Sequence, residues 1–343
     1  MSTARGPSVI AAGEVMVELA GPKPLARVET IKRSNSGDVL NVAVALGRLG
    51  LPCAILTKVG DDPFGDYLLE DWAGLGVDQR YVGRGCGPTG LYVAEHAADA
   101  SYQIWYWRKG SAASTIAPAD VDRVDLGGVR LVHLSGISQA ISASSRAATR
   151  RLAARARERG IPVSLDINFR PQLWSGEEAA AAMHEVLPDA DFVFCGAPDE
   201  SLAVAGLGDP EDVARYFLDQ GAEVVAVTMA GDGAFAATGD ETVRLPHVAR
   251  RIRGPQGAGD AFVGGFLAGR LAGAGLATCA RFGTLVAGLK VEKPGPLHGL
   301  PQRPEIVARA AELGWDDVLR TLNVLEADSG GSDADRNAAE VTG

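Results

Sequence analysis

From residue 9 to residue 313, short β-branched runs alternate with Ala-, Leu- and Arg-rich stretches whose apolar residues recur at helical spacing. That alternation restricts the chain to an α/β architecture, because strands bury one face every second residue and helices bury a stripe every three to four. The spacing predicts strands at 9–19, 54–59, 132–134, 163–167, 192–194 and 224–228, with short strands following through 245. It predicts a helix that starts at the cap Ser36, Gly37, Asp38 and is closed by Gly50, and another that starts at Pro63. Further helices are predicted over 144–159, 177–187, 210–220, 260–272, 277–291 and, last, 304–313. The pair at 260–272 and 277–291 is rich in small apolar residues and is expected to be well buried. From about 327 the sequence turns small, polar and acidic, and residues 327–343 are expected to be a disordered tail.

Composition removes several classes of function. The 343 residues carry a net charge of −10, which argues against a dedicated nucleic-acid or anionic-membrane binder. No apolar run approaches the roughly 18 residues of a membrane span. Residues 1–8 lead into an apolar run too short for a signal-peptide core. Cys53, Cys86, Cys195 and Cys279 lie far apart with no C-x-x-C, which reads as a reduced, cytoplasmic chain without disulfides or a zinc site. The five histidines form no H-x-x-x-H pair, so no histidine-ligated metal is expected.

Three segments carry candidate chemistry. Gly257, Ala258, Gly259 and Asp260 open an apolar helix, where free N–H groups and the helix dipole favour an anion and an adjacent aspartate can accept a proton. A glycine turn with an aspartate near the cap is the plain alternative. The segment is neither a Walker loop nor a Rossmann fingerprint, since no Lys-Ser/Thr and no third glycine follow. Asp166, Asn168 and Arg170 alternate just after a buried strand, the place where α/β sheets bind ligands, or else form an ordinary charged turn. Asp38 and Asn41 lie one helical turn apart and can hydrogen-bond substrate hydroxyls, or Asp38 simply caps its helix. Arg108 and Arg170 suit bidentate carboxylate recognition. An aromatic-rich hairpin, 91–95 and 102–107 around a turn at 97–100, interrupts the β/α rhythm as a lid, an interface or an edge hairpin.

Taken in this order, the segments resemble the ribokinase-like (PfkB-type) carbohydrate kinases over about residues 9–313. The run from Gly37 to Gly50 looks like that family's first motif, 257–260 like its second, and 58–65 (KVGDDPFG) is also typical. Within the family, Thr89, Gly90, Leu91 and Tyr92 followed by 106–112 (YWRKGSA), together with 166–170 (DINFR), resemble 2-keto-3-deoxygluconate kinases. The resemblance implies a ribokinase-like α/β fold, with a central, mostly parallel sheet, helices on both faces and a small β lid. It divides the chain into a core (1–19, 36–87 and 109–326) and a lid (20–35 and 88–108). It implies Mg²⁺- and ATP-dependent phosphorylation of a sugar acid's terminal hydroxyl. Asp260 is the implied base, and the backbone of Gly257, Ala258 and Gly259 steadies the transferring phosphoryl group. Gly37, Asp38, Asn41, Tyr92, Tyr106, Arg108, Asp166, Asn168 and Arg170 are the implied acceptor site. Thr228, Gly231, Gly233, Gly257 and Gly259 are the implied nucleotide site. Glu200 is implied in Mg²⁺ handling through water, and the lid as a contact between copies in a homo-oligomer.

Departures from the family pattern cluster on the nucleotide side. Gly254, Pro255 and Gln256 stand where the family commonly has Asp-Thr-Thr, Ala197 stands for an asparagine, and Ala230 for a glycine. Arg250, Arg251 and Arg253 lie just upstream of the altered turn, where one of them partly replaces the lost phosphate contacts or all three form a solvated basic strand edge. Two other readings stay open: a kinase of the same family for another sugar or a nucleoside, and a sugar-binding relative whose nucleotide site has decayed.

Overall fold

The computed structural model describes residues 6–97 and 101–329. Its strands, in chain order, are β1 (Val9–Ala12), β2 (Met16–Pro22), β3 (Lys32–Ser36), β4 (Cys53–Val59), β5 (Val82–Arg84), β6 (Leu91–His96) and β7 (Tyr102–Trp107). There follow β8 (Leu131–Ser135), β9 (Val163–Asp166), β10 (Phe192–Gly196), β11 (Val224–Thr228), β12 (Ala234–Ala237) and β13 (Thr242–Leu245). Nine of them form one sheet in the order β13-β12-β11-β10-β9-β8-β1-β4-β5, parallel from β11 to β5, with β12 and β13 added antiparallel. The other four form a second sheet in the order β3-β2-β6-β7.

Period-2 alternation sorts the large sheet's side chains into two cores. Val9, Ala11, Phe192, Phe194, Val224 and Ala226 face the helices Asp38–Arg48, Ala258–Leu271, Leu276–Val291, Arg303–Glu312 and Asp316–Ser329. Ile10, Ala12, Val193, Cys195, Val225 and Val227 face the helices Pro118–Asp122, Ala143–Arg157, Gly176–His184 and Pro210–Asp219. With both faces covered, these strands read as nearly continuous apolar runs.

Two boundaries differ from the sequence reading. The expected strand at 9–19 is two strands in two sheets, broken at Gly13 and Glu14, because the Glu14 side chain is fully buried and turns inward to an ion pair with Arg108. The second sheet therefore takes the chain from Met16, not from residue 20. Nor is 304–313 the last helix. Asp316–Ser329 follows it and inserts Val318, Leu322 and Leu325 into the first core, so residues 327–329 are helical rather than tail. The rest of the expected tail, and most of the expected turn at 97–100, lie outside the described residues.

The helices Ala258–Leu271 and Leu276–Val291 touch through glycines. A Cβ on Gly265 would stand 2.8 Å from Phe282 O and 3.0 Å from Gly283 Cα, and one on Gly283 would stand 2.8 Å from Phe262 O. Gly265→Val must push the pair apart. We expect a loss of about 1–3 kcal/mol in urea unfolding, and an unchanged midpoint would contradict this close approach.

Candidate functional site

The order in which strands are added to the large sheet reverses at β1. The chain runs from β1 out to β4 and β5 on one side, then returns to β8 on the other and continues through β9, β10 and β11. Loops leaving β1 and β8 diverge there and open a crevice at the carboxyl ends of the strands. A cleft of about 470 Å³ lies along the same carboxyl edge, at the ends of β9, β10 and β11 and the start of the helix Ala258–Leu271. Asp166, Asn168, Arg170, Glu200, Thr228, Gly231, Gly233, Gly257, Ala258, Gly259 and Asp260 all line it.

The helix Ala258–Leu271 starts at the cleft. Its cap, Gly257, has φ 77°, a left-handed conformation that costs a glycine little. The Ala258 N–H donates to Pro255 O at 3.2 Å, so it is not a free donor. Gly259 and Asp260 lie in the first turn, where N–H groups have no carbonyl one turn earlier to bind. A Cβ on Gly259 would meet nothing within 4 Å, so open space stands beside this turn. Asp260 is buried, and Asn41 Nδ2 donates to its Oδ2 at 2.6 Å. Burial first, then the nearby Asp38 charge, push the Asp260 carboxyl up to about 7, against the opposing pull of Asn41, Arg170 and Lys290. A carboxyl poised near neutrality beside an anion-favouring helix end can take a proton from a hydroxyl that attacks an anionic group.

Asp38 and Asn41, one turn apart on the helix Asp38–Arg48, serve different neighbours. Ser135 Oγ at the end of β8 donates to Asp38 Oδ2, and Asn168 Nδ2 lies 3.5 Å from the same oxygen. Asn41 Nδ2 also reaches Ser36 Oγ at 3.1 Å, and Gly37 O accepts from Asn41 N at 2.8 Å. Asn168 has φ 41°, a left-handed conformation that asparagine tolerates better than most residues, and its amide lies 3.3 Å from Asp166 Oδ2. Burial raises Asp166 well above the usual carboxylate range, and Glu200, Asp260 and Asp38 add to the effect. Arg170 is exposed at the mouth, where its Nη1 donates to Phe169 O at 3.0 Å. Glu200 accepts from the backbone N–H groups of Phe169 and Gly196 and so braces the ends of β9 and β10. Among the described residues, no three or more His, Cys, Asp or Glu side chains are grouped to hold a metal ion. A divalent ion here would be carried by a ligand's own phosphates and waters, with few protein ligands.

Tyr92 and Tyr106 sit on β6 and β7, outside the cleft lining, with ring centroids 6.0 Å apart. Arg108 is buried below them, 5.3 Å from the Tyr106 ring centroid, and its guanidinium is paired with Glu14. Ser111 Oγ donates to the other Glu14 oxygen at 2.7 Å. The Arg108 charge is thus already met inside the protein, whereas the Arg170 charge faces the cleft mouth. Burial raises Glu14 above the ordinary carboxylate range, while Arg108 and Ser111 oppose that rise.

On the other flank, Thr228 ends β11, and a 3₁₀ turn, Ala230–Asp232, leads to Gly233. Ala230 holds φ 48°, so the side chain that replaced the expected glycine sits in strained backbone. None of Arg250, Arg251 and Arg253 lines the cleft, contrary to the phosphate-contact reading. Arg250 pairs instead with Glu312 on the helix Arg303–Glu312, because the chain here runs along that helix. The cation near the altered turn is Lys290, whose Nζ donates to Gly254 O at 2.6 Å.

Sequence reasoning missed Glu14, Ser135 and Lys290. Glu14 and Lys290 had a signal: each is a lone charge inside an apolar run that must be buried. Ser135 had none, since a serine ending a strand reads as an ordinary turn.

Comparison with known proteins agrees with this fold. Residues 7–303 match the model of the pfkB family carbohydrate kinases. A 2-dehydro-3-deoxygluconokinase of Bacillus subtilis is 32% identical over 83% of this chain and 89% of its own length. A PfkB protein of Polaromonas superposes with a TM-score of 0.78 at 32% identity, over 88% of this chain and 100% of that one. An Escherichia coli protein provisionally assigned as ribokinase II, whose crystal structure holds ATP and Mg²⁺, superposes with a TM-score of 0.81 at 25% identity, over 89% and 99% of the two chains.

The raised Asp260 carboxyl has a consequence for stability. A carboxyl held higher in the folded chain than in the unfolded one, about 7 against 3.8, makes folding less favourable as pH rises between those values. Asp260→Asn keeps an acceptor for Asn41 and removes the charge. We expect its melting temperature to exceed the wild type's at pH 8 and to converge with it near pH 4, as read by calorimetry. Equal melting temperatures at both pH values would contradict the raised carboxyl.

Proposed function

The chain belongs to the pfkB family of carbohydrate kinases, and on that premise we propose that it transfers the γ-phosphoryl group of Mg-ATP to the terminal hydroxyl of 2-keto-3-deoxygluconate (2-dehydro-3-deoxygluconate). The observation that carries this reading is Asp260, buried and near-neutral at the start of a helix that opens onto a cleft also lined by Arg170. In the reaction, the acceptor hydroxyl oxygen attacks the γ-phosphorus as Asp260 takes its proton, and the bond to the departing ADP oxygen breaks. The N–H groups of the first helical turn offset charge on the transferring group, a term usually large in such sites. Mg²⁺ would be held by the nucleotide's phosphates and its own waters, and Glu200, whose oxygens already accept from Phe169 N and Gly196 N, would reach it only through water. Thr228, Gly231 and Gly233 border the nucleotide, where close approach of backbone is needed more than side chains.

The acceptor lies between the first helix and the second sheet, which acts as its lid. Asp38, Asn41, Asp166 and Asn168 bind its hydroxyls from below, and Gly37, Tyr92 and Tyr106 bound it from the lid side. Arg170 takes the larger share of the acceptor's carboxylate, because Glu14 already balances Arg108. The likeness to a named 2-dehydro-3-deoxygluconokinase supports this substrate class. No helix of the described residues is long and apolar enough to cross a membrane, and we place the kinase in the cytoplasm, where Mg-ATP is abundant. The lid also serves as a contact between copies. Trp105 and Trp107 share the outer face of the edge strand β7 and are 40% and 59% exposed.

ADP release with Mg-ATP tests the reaction against 2-keto-3-deoxygluconate, its galactonate epimer, gluconate, fructose, ribose and adenosine. We expect turnover on the keto-deoxy acid, reduced about 10²-fold or more in Asp260→Asn. Arg170→Ala should raise the acceptor KM by about tenfold or more while leaving the ATP KM near the wild-type value. Turnover on fructose, ribose or adenosine alone would keep the kinase and overturn the acid. Light scattering on the purified chain should give a dimer that Trp107→Ser weakens, and a wild-type monomer would remove the lid contact.

A further inference from the structure

Lys290 is fully buried, with 0% of its surface exposed, on the helix Leu276–Val291. Its ammonium makes one hydrogen bond among the described residues, to Gly254 O at 2.6 Å, and no ion pair. A lysine without a carboxylate partner is rare in a protein interior, since burying an ammonium is costly. Gly254 is the first residue of the turn that leads through Pro255 and Gln256 to Gly257 and the start of the helix Ala258–Leu271. The same turn is tied to the end of Lys290's helix twice more, by Arg253 N and Gly254 N donating to Val291 O at 2.8 and 3.1 Å. A Cβ on Gly254 would stand 2.7 Å from Lys293 O, so the turn lies directly on the chain that leaves this helix.

We infer that Lys290 is a positioning residue of the phosphate site, a built-in cation that clamps the Gly254–Gly257 turn from behind and adds positive potential to the helix end facing the nucleotide. The inference rests on the kinase reading above. Burial lowers the ammonium to about 8 while Asp260 and Glu18 hold it up, so it is cationic at neutral pH. Its location suits a field effect, because a helix N-terminus already favours anions and a second fixed charge beneath it acts in the same direction. It also supplies what Arg250, Arg251 and Arg253 do not, a cation packed against the turn that lacks the family's threonine hydroxyls. Lys290 touches neither substrate and gains no contact with the cleft, from which it is sealed. Its effect is transmitted through Gly254 and through charge.

Two variants separate these contributions. Lys290→Gln keeps a donor for Gly254 O and loses the charge, and Lys290→Met loses both at similar volume. Isothermal calorimetry with Mg-ATP on the full chain gives the affinity, thermal melting checks folding, and steady-state kinetics give both KM values. We expect nucleotide binding to weaken about tenfold in the glutamine variant and further in the methionine variant, with the acceptor KM within about twofold of wild type. Folded variants that bind Mg-ATP as the wild type does overturn the inference, and so does a glutamine variant alone at wild-type affinity. If the methionine variant does not fold, the glutamine variant decides. A wild-type chain that binds no Mg-ATP ends the kinase reading and this inference together, whereas equal affinity in wild type and variant ends this inference alone.

Discussion

The 2.6 Å hydrogen bond from Asn41 to Asp260 joins the two helices on which the site depends. One follows β3 and the other begins at Ala258, with 219 residues between Asn41 and Asp260, so the bond fixes the spacing between the two helix starts. Its energetics are those of a charge-assisted bond in a dry place, stronger than its counterpart in water and costly to leave unmade. Everything near it is arranged around the same difficulty. Asp38, Asp166, Glu200 and Asp260 are all raised above the ordinary carboxylate range by burial, with Arg170 and Lys290 as the nearby cations. A surplus of carboxyl groups would repel a nucleotide if all were ionised. The helix N-terminus and the two cations offset that surplus on the side where an anion would approach.

The fold was largely legible because its large sheet is covered on both faces. Runs such as 224–228 and 192–194 are apolar at nearly every position, and turn residues bound them, so period and punctuation agreed. The sequence reading failed where one stretch of chain serves two layers. Residues 9–19 look like one strand, and only the buried Glu14, placed by a partner at Arg108, shows why the chain must break there. The helix Asp316–Ser329 was hidden by the polar composition of the residues that follow it. Its core face, Val318, Leu322 and Leu325, becomes a signal only once the neighbouring helices are known.

Legibility of the site followed a similar rule. Asp260, Asp166, Asn168 and Arg170 stand at element ends beside glycines or after buried strands, and the fold draws them around one cleft. Backbone chemistry was less visible. No residue type marks that Ala258 N–H is occupied by Pro255 O, or that Glu200 spends its oxygens on two backbone N–H groups. Arginines upstream of the turn looked like phosphate ligands by proximity in sequence, yet Arg250 belongs to a helix 62 residues farther on, at Glu312. Charge count along the chain carries no direction, and direction decided the matter.

The second sheet leaves the main body twice, once between Gly13 and Gly37 and once between Thr89 and Ser111, and both excursions are fastened at the same knot of Glu14, Arg108 and Ser111. The chain is therefore modular in a way the order of its elements along the sequence conceals. Changes of length or side chain within either excursion can remodel the second sheet while the knot holds its footing and the helix at Asp260 stays in place. Variation in the second sheet and integrity of the helix that carries Asp260 are thereby separable demands on one polypeptide.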